Sequence, residues 1–177
     1  MEKRKFSVRD MCYCACFSAL LAVCAWISIP VAATHITFQT FGIFLALLTL
    51  GGFRGSVAVG LYLLLGAIGL PVFAGFKGGP HMFAMPSGGF LIGFMLTCLL
   101  YWAISAEFTP QKWGKVIAMA VAILPCYLLG IFRMFMFYSV TVEPRTYVLT
   151  AVTFLLPDCL KFLLAWYVSK RLKRFVK

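Results

Sequence analysis

Within Tyr147 to Val168, a stretch otherwise nearly all apolar, two opposite charges stand three residues apart: Asp158 and Lys161. On a helix that spacing puts both side chains on one face. An isolated ion is costly in hydrocarbon, so the two are expected to pair and to turn towards the protein interior. Such a pair either marks a ligand site or serves as an internal salt bridge that steadies its helix, and the residues alone leave both readings open. Pro157, next to them, removes a backbone donor, which points to a local opening of the helix beside the pair.

The other reactive side chains offer less. The seven cysteines, Cys12, Cys14, Cys16, Cys24, Cys98, Cys126 and Cys159, lie mostly inside apolar runs and are odd in number. They form no C-x-x-C pair and read as buried small hydrophobes, with Cys159 alone beside the charged pair. His35 and His81 stand singly on loops without a second ligand, so neither a metal site nor a cofactor is expected. An intramembrane aspartyl protease needs two aspartates sharing a proton, and Asp158 has no such partner because Asp10 is expected at the opposite face.

The elements that hold the pair follow from composition. With 63% hydrophobic and 12% charged residues, the 177-residue chain is far from a soluble domain, whose charged share is about 25%. Apolar segments recur at Met11 to Ile29, Ile36 to Leu50, Ser56 to Leu70, Gly88 to Ile104, Val116 to Tyr138 and Tyr147 to Val168. Several fall short of the ~20 residues of a full span, the second and third most of all. The expectation is an all-α integral membrane protein, a compact bundle of six transmembrane helices forming a single membrane domain over residues 1–177. Turn-like separators divide the segments: Pro30, Gly51-Gly52-Phe53-Arg54-Gly55, Pro71 to Pro86, Glu107 to Lys115 and Thr141 to Thr146. The basic start and Val31-Ala32-Ala33 resemble a cleaved leader, but a 19-residue apolar run exceeds the ~7–15 of a signal core, so a retained helix is expected.

A net charge of +11 would suggest nucleic acid in a soluble protein; here the basic residues sort by position instead, and no nucleic-acid partner is expected. Six spans put both termini on one side. Lys3, Arg4, Lys5, Arg9, Arg54, Lys112, Lys115, Lys170, Arg171, Lys173, Arg174 and Lys177 all fall there, so that side is expected to be cytoplasmic. Lys77, Arg133, Arg145 and Lys161 remain, against only Glu143 and Asp158, and they make the outer half suited to a small anionic ligand. In the first segment Ala15 and Ala19 sit four apart, as do Ser18 and Ala22, giving a smooth stripe against which another helix packs closely. The glycine pairs Gly51 with Gly55 and Gly89 with Gly93 suit turns and close helix contacts.

Four strings then appear in order: Ile36-Thr37-Phe38-Gln39-Thr40-Phe41-Gly42, Tyr62 through Gly75 (YLLLGAIGLPVFAG), Pro86-Ser87-Gly88-Gly89-Phe90-Leu91-Ile92-Gly93-Phe94, and Pro157-Asp158-Cys159-Leu160-Lys161. Together the chain resembles the BioY family, the biotin-specific substrate-binding S components of energy-coupling factor transporters. The resemblance covers nearly the whole chain. It implies a multi-pass protein of the cytoplasmic membrane that captures biotin from outside. ATP hydrolysis would belong to two cytoplasmic ATPase subunits, coupled through a transmembrane scaffold subunit that docks on the first helix. Ala15 and Ala19 match the family's docking motif, and the chain itself carries no G-x-x-x-x-G-K-[ST] phosphate loop. An S component for another small vitamin, or a facilitator working without ATPases, is the alternative, since one architecture hosts different sites.

The resemblance also gives the charged pair a task. The ureido group of biotin has two N–H donors and one carbonyl acceptor, which a carboxylate at Asp158 and an ammonium at Lys161 complement. Ser87, Gly88 and Gly89 begin the fourth helix, whose free N–H groups suit an acceptor, although Ser87 also reads as an ordinary cap. Gln39 is a further candidate for hydrogen bonding to the ligand, and Tyr127, Phe73 and Phe90 are candidates for walling its ring and tail. Lys77 and Arg133 are the candidates for the ligand carboxylate, while Arg145 is expected to pair with Glu143. The chain departs from the family pattern at His35, where members often have proline, and at Phe76-Lys77-Gly78-Gly79-Pro80-His81, which replaces a loop usually richer in small residues. How that loop gates is therefore what the resemblance says least about.

Overall fold

The computed structural model describes residues 6–31, 34–107, 114–138 and 144–176. Lys3, Arg4, Lys5, Ala32, Ala33, Lys112, Glu143 and Lys177 lie outside the described residues, as do the side chains of His35 and Arg145. Helix α1 (Val8–Trp26) opens on Ser7, whose N–H donates to Asp10 at 3.1 Å, a local bond that satisfies a donor at the helix start. Asp10 also pairs with Arg54 at 3.2 Å, tying the start of α1 to the start of α3 (Gly52–Ala67).

Between these two lies α2 (Gln39–Leu50), in which every residue from Phe41 to Leu50 is buried. It packs against α1, α3 and α7 (Pro144–Val176). Twelve residues rise only about 18 Å, short of a ~30 Å hydrocarbon core. The deficit is tolerable because α2 is enclosed by other helices, so its ends meet protein rather than lipid. At its far end Gly51 takes φ 86°, a left-handed value that suits glycine, and the chain turns directly into α3. Of the glycine-rich separator only Gly51 is a turn; Gly52 to Gly55 are already helical.

The remaining elements are α4 (Gly88–Glu107), α5 (Gly114–Ala122), α6 (Leu124–Tyr138) and α7. Helices α5 and α6 together form one apolar span, Gly114–Phe137, so the described residues contain six helical passes, as the segments predict. Three of them, α1, α4 and this composite, are long and apolar enough to cross a membrane by length and composition. At the end of the bundle holding the start of α5, Lys115 and Lys170 lie near half-buried Lys173, whose pKa is lowered first by burial and then by those two charges.

Three local features differ from the expectation. The first helix stops at Trp26, and β1 (Ser28–Val31) pairs antiparallel with β2 (Thr34–Thr37), with Ile29 opposite Ile36. Phe38 N–H then donates to the Ile27 carbonyl at 2.9 Å, which sets the entry of α2. A run of Ile, Val and Thr favours such a ladder over helix through its β-branched side chains. Secondly, α7 runs through Pro157 unbroken, and the interruption falls instead at Ile123. Pro125 accounts for it: its ring crowds the carbonyl four residues back, and Cys126 N–H bonds Ile123 in a tighter turn at 3.1 Å. Thirdly, the Pro71 to Pro86 segment contains a 3-10 turn, Pro80–Phe83.

Candidate functional site

The chain brings the start of α2, the middle of α7, the α5–α6 break and the start of α4 around one cavity of about 280 Å³, with the 71–86 segment across it. Asp158 and Lys161 face it from α7 and are only 7% and 8% exposed. Their spacing puts them on one face as expected, and Lys161 Nζ lies 2.6 Å from Asp158 Oδ1.

The pair is embedded in a wider polar network. Thr40 donates to Asp158 Oδ1 at 2.8 Å, and Tyr127 donates to Asp158 Oδ2 at 2.6 Å. Lys161 donates to the Thr37 carbonyl at 2.8 Å and to Thr40 Oγ1 at 3.2 Å besides its bond to Asp158. All three ammonium donors are thereby engaged, whereas the carboxylate, with about four lone-pair positions, has accepted three bonds. A ligand carbonyl must therefore exchange for one of Lys161's partners. The Thr40 bond is the longest of the three and the cheapest to give up.

Around this polar cluster the walls are apolar. Phe90, Leu91 and Phe94 of α4, Ile123 at the helix break, and Met82 and Met85 of the covering segment line the cavity. Phe73 lines it too, held edge-on by Tyr62 and Phe83 with ring centroids 5.6 and 5.9 Å away. Gly66 allows this seat, because a Cβ there would occupy the space of the Phe73 ring. Gln39 is buried and donates to the Tyr62 hydroxyl at 2.8 Å, so it both lines the cavity and fixes the residue behind Phe73.

Of the residues singled out from sequence, Asp158, Lys161, Gln39, Ser87, Tyr127, Phe73, Phe90 and Lys77 line this cavity. Gly88, Gly89 and Arg133 do not. Gly88 is packed on the Phe83 carbonyl, and Gly89 lies against Leu129 and Arg133 where α4 meets α6. Arg133 is turned outward, donating to the Ala84 carbonyl at 3.0 Å and lying 5.9 Å from the Phe137 ring centroid. Cys159, adjacent in sequence, is exposed and off the cavity, whereas Cys126 lines it from α6. Thr37 and Thr40 line the cavity as well, and two threonines and a glutamine clustered at the start of an uncharged apolar helix are the sequence signal for them.

On α1 the two small-residue pairs separate. Ser18 and Ala22 are buried within the bundle, while Ala15 and Ala19 are exposed, together with Met11, Cys12, Cys16 and Val23. Among the described residues no group of three or more His, Cys, Asp or Glu is placed to hold a metal.

The chain is similar to known proteins along nearly its whole length. A family model described as the BioY family matches residues 1–177. The chain is 38% identical over 168 residues to a biotin transporter BioY of Thermotoga maritima, covering 94% of this chain and 97% of that protein. It is 30% identical over 167 residues to a probable biotin transporter BioY of Pyrococcus horikoshii, covering 93% and 96%. Among solved structures, the S-component for biotin from an ECF-type ABC transporter superposes with a TM-score of 0.85 at 26% identity, over 98% of this chain and 95% of that one.

Proposed function

The chain belongs to the BioY family, and from that premise we propose that it is the biotin-binding S component of an energy-coupling factor transporter. The observation that carries the reading is the Asp158, Lys161, Thr40 and Tyr127 cluster, a dense hydrogen-bonded patch in a cavity that is also lined by many apolar side chains. Biotin has the matching polarity, a ureido head with two donors and one acceptor, then an apolar ring and tail. The spare lone pair of Asp158 accepts from one ureido N–H group, and Lys161 turns from Thr40 to the ureido carbonyl. Enclosure makes this selective, because a ligand that leaves these buried groups unpaired loses their full desolvation cost. The cavity's 280 Å³ is near the lower end of the roughly 300–1,000 Å³ of small-molecule sites, which suits a compact vitamin.

In this reading residues 1–177 act as a single membrane domain in the cytoplasmic membrane, both termini inside and the cavity opening outward. The basic residues at the end opposite the cavity, Arg54, Lys115 and Lys170 to Arg174, support that orientation. Ala15 and Ala19 present a smooth outward face for a transmembrane scaffold subunit, and two cytoplasmic ATPase subunits supply the energy this chain has no phosphate loop to harvest. The purified protein is expected to be thermally stabilised by micromolar biotin, since a ligand that binds only the folded state raises stability by mass action. Equal stabilisation by thiamine or riboflavin, or none by biotin, overturns the assignment.

A further inference from the structure

Four cations were left over by the topology, and the structure separates the three whose side chains are described. Lys161 commits its donors to Thr37, Thr40 and Asp158. Arg133 lies off the cavity, on the Ala84 carbonyl. Lys77 lines the cavity at an exposed position, and among the described residues no hydrogen bond or ion pair engages its ammonium. Its placement is built rather than incidental. Phe73 N–H donates to the Lys77 carbonyl at 2.9 Å, closing a turn in which Gly75 (φ 70°) and Phe76 (φ 57°) are both left-handed. One side of this turn is anchored by buried Phe73, and the other by Phe76, which stacks on Trp26 with centroids 5.1 Å apart.

Resting on the reading that the ureido head sits against Asp158 and Lys161, we propose that Lys77 receives the carboxylate at the other end of the ligand. The cavity then selects the free acid over tail-blocked esters and amides. The same cavity also has apolar lining, Phe90, Leu91 and Met82 among it, which matches a ligand polar at both ends and hydrocarbon between. Because Lys77 is exposed, its pairing is partly screened, so the selection is several-fold rather than absolute and weakens with added salt.

The test compares biotin, its methyl ester and its primary amide as ligands of the detergent-purified protein and of Lys77→Met, Lys77→Arg and Arg133→Met. The parent is expected to favour the acid by about threefold or more over both blocked forms, with the margin shrinking as salt rises. Lys77→Met weakens the acid alone and abolishes the preference, Lys77→Arg retains it, and Arg133→Met leaves it intact. No preference in the parent, a preference surviving in Lys77→Met, or one lost through Arg133→Met overturns the proposal. Failure of the parent to bind either the acid or the ester overturns the underlying site reading instead, so the two failures are distinguishable.

Discussion

Replacing the charged pair one member at a time and then together separates recognition from support. Lys161→Met keeps the aliphatic stem but removes three donors, leaving the Asp158 carboxylate 7% exposed with only Thr40 and Tyr127 as partners. Breaking a buried ion pair from one side costs about 3–5 kcal/mol, because the remaining ion has lost its counter-charge. For a chain of this size, with each kcal/mol worth roughly 2–4 °C, the melting temperature is expected to fall by roughly 6–20 °C. Asp158→Asn strands the ammonium and lowers stability in the same way. The double variant, Asp158→Asn with Lys161→Met, leaves no lone ion and recovers most of that stability. Biotin binding does not recover. Each single variant and the double are expected to bind at least tenfold more weakly, about 1.4 kcal/mol, because a ureido N–H, the ureido carbonyl or both have lost a charged partner. Thermal unfolding in detergent and equilibrium binding of labelled biotin read the two quantities separately. A double variant that folds and binds like the parent shows that the pair is structural and that the site is wrongly assigned.

Two further perturbations test the surroundings of the site. Ala15→Trp or Ala19→Trp, on the exposed face of α1, is expected to abolish copurification with the scaffold subunit and to lower uptake while biotin affinity stays within about twofold, since bulk prevents close helix approach; lost affinity with retained assembly means the face is internal packing. Trp26 donates to the Pro71 carbonyl at 2.9 Å and stacks on Phe76, so it latches the covering segment. Trp26→Leu removes a hydrogen bond and a ring contact worth about 1–3 kcal/mol together and is expected to speed release of bound biotin by roughly tenfold; an unchanged release rate shows that this segment does not gate the cavity.

The six passes were legible because apolar runs and glycine or proline separators record where a chain can cross hydrocarbon. The charged pair was legible for the same reason, since Asp158 and Lys161 interrupt a run where ions are costly. What sequence obscured was set by contacts between distant segments. Thr40 lies 118 residues from Asp158, and only the packing of α2 on α7 brings its hydroxyl within 2.8 Å. Arg133 and Lys77 were equivalent as charges; their environments separate them, one held on a carbonyl outside the cavity and the other on a turn at its edge. The two prolines show the same limit. Pro157 sits in α7, against which α2 packs, and the helix runs on through it, whereas Pro125 opens the α5–α6 span beside the cavity. The β hairpin was hidden because Ser28 and Ile29 prolong the apolar run of the first segment and Pro30 reads as a simple break, while the β-branched character around it was the quieter signal.

The central claim is that the polar cluster on α2, α6 and α7 reads a ureido head, and competition against labelled biotin on the purified protein tests it most directly. Desthiobiotin keeps the cyclic urea and lacks the ring sulfur, while diaminobiotin keeps the sulfur ring and replaces the urea with two amines. The account predicts that desthiobiotin displaces biotin within about tenfold of biotin itself, and that diaminobiotin is weaker by at least that factor again, because Lys161 loses its acceptor and meets positive charge instead. Diaminobiotin competing as well as biotin, or desthiobiotin failing to compete, contradicts it.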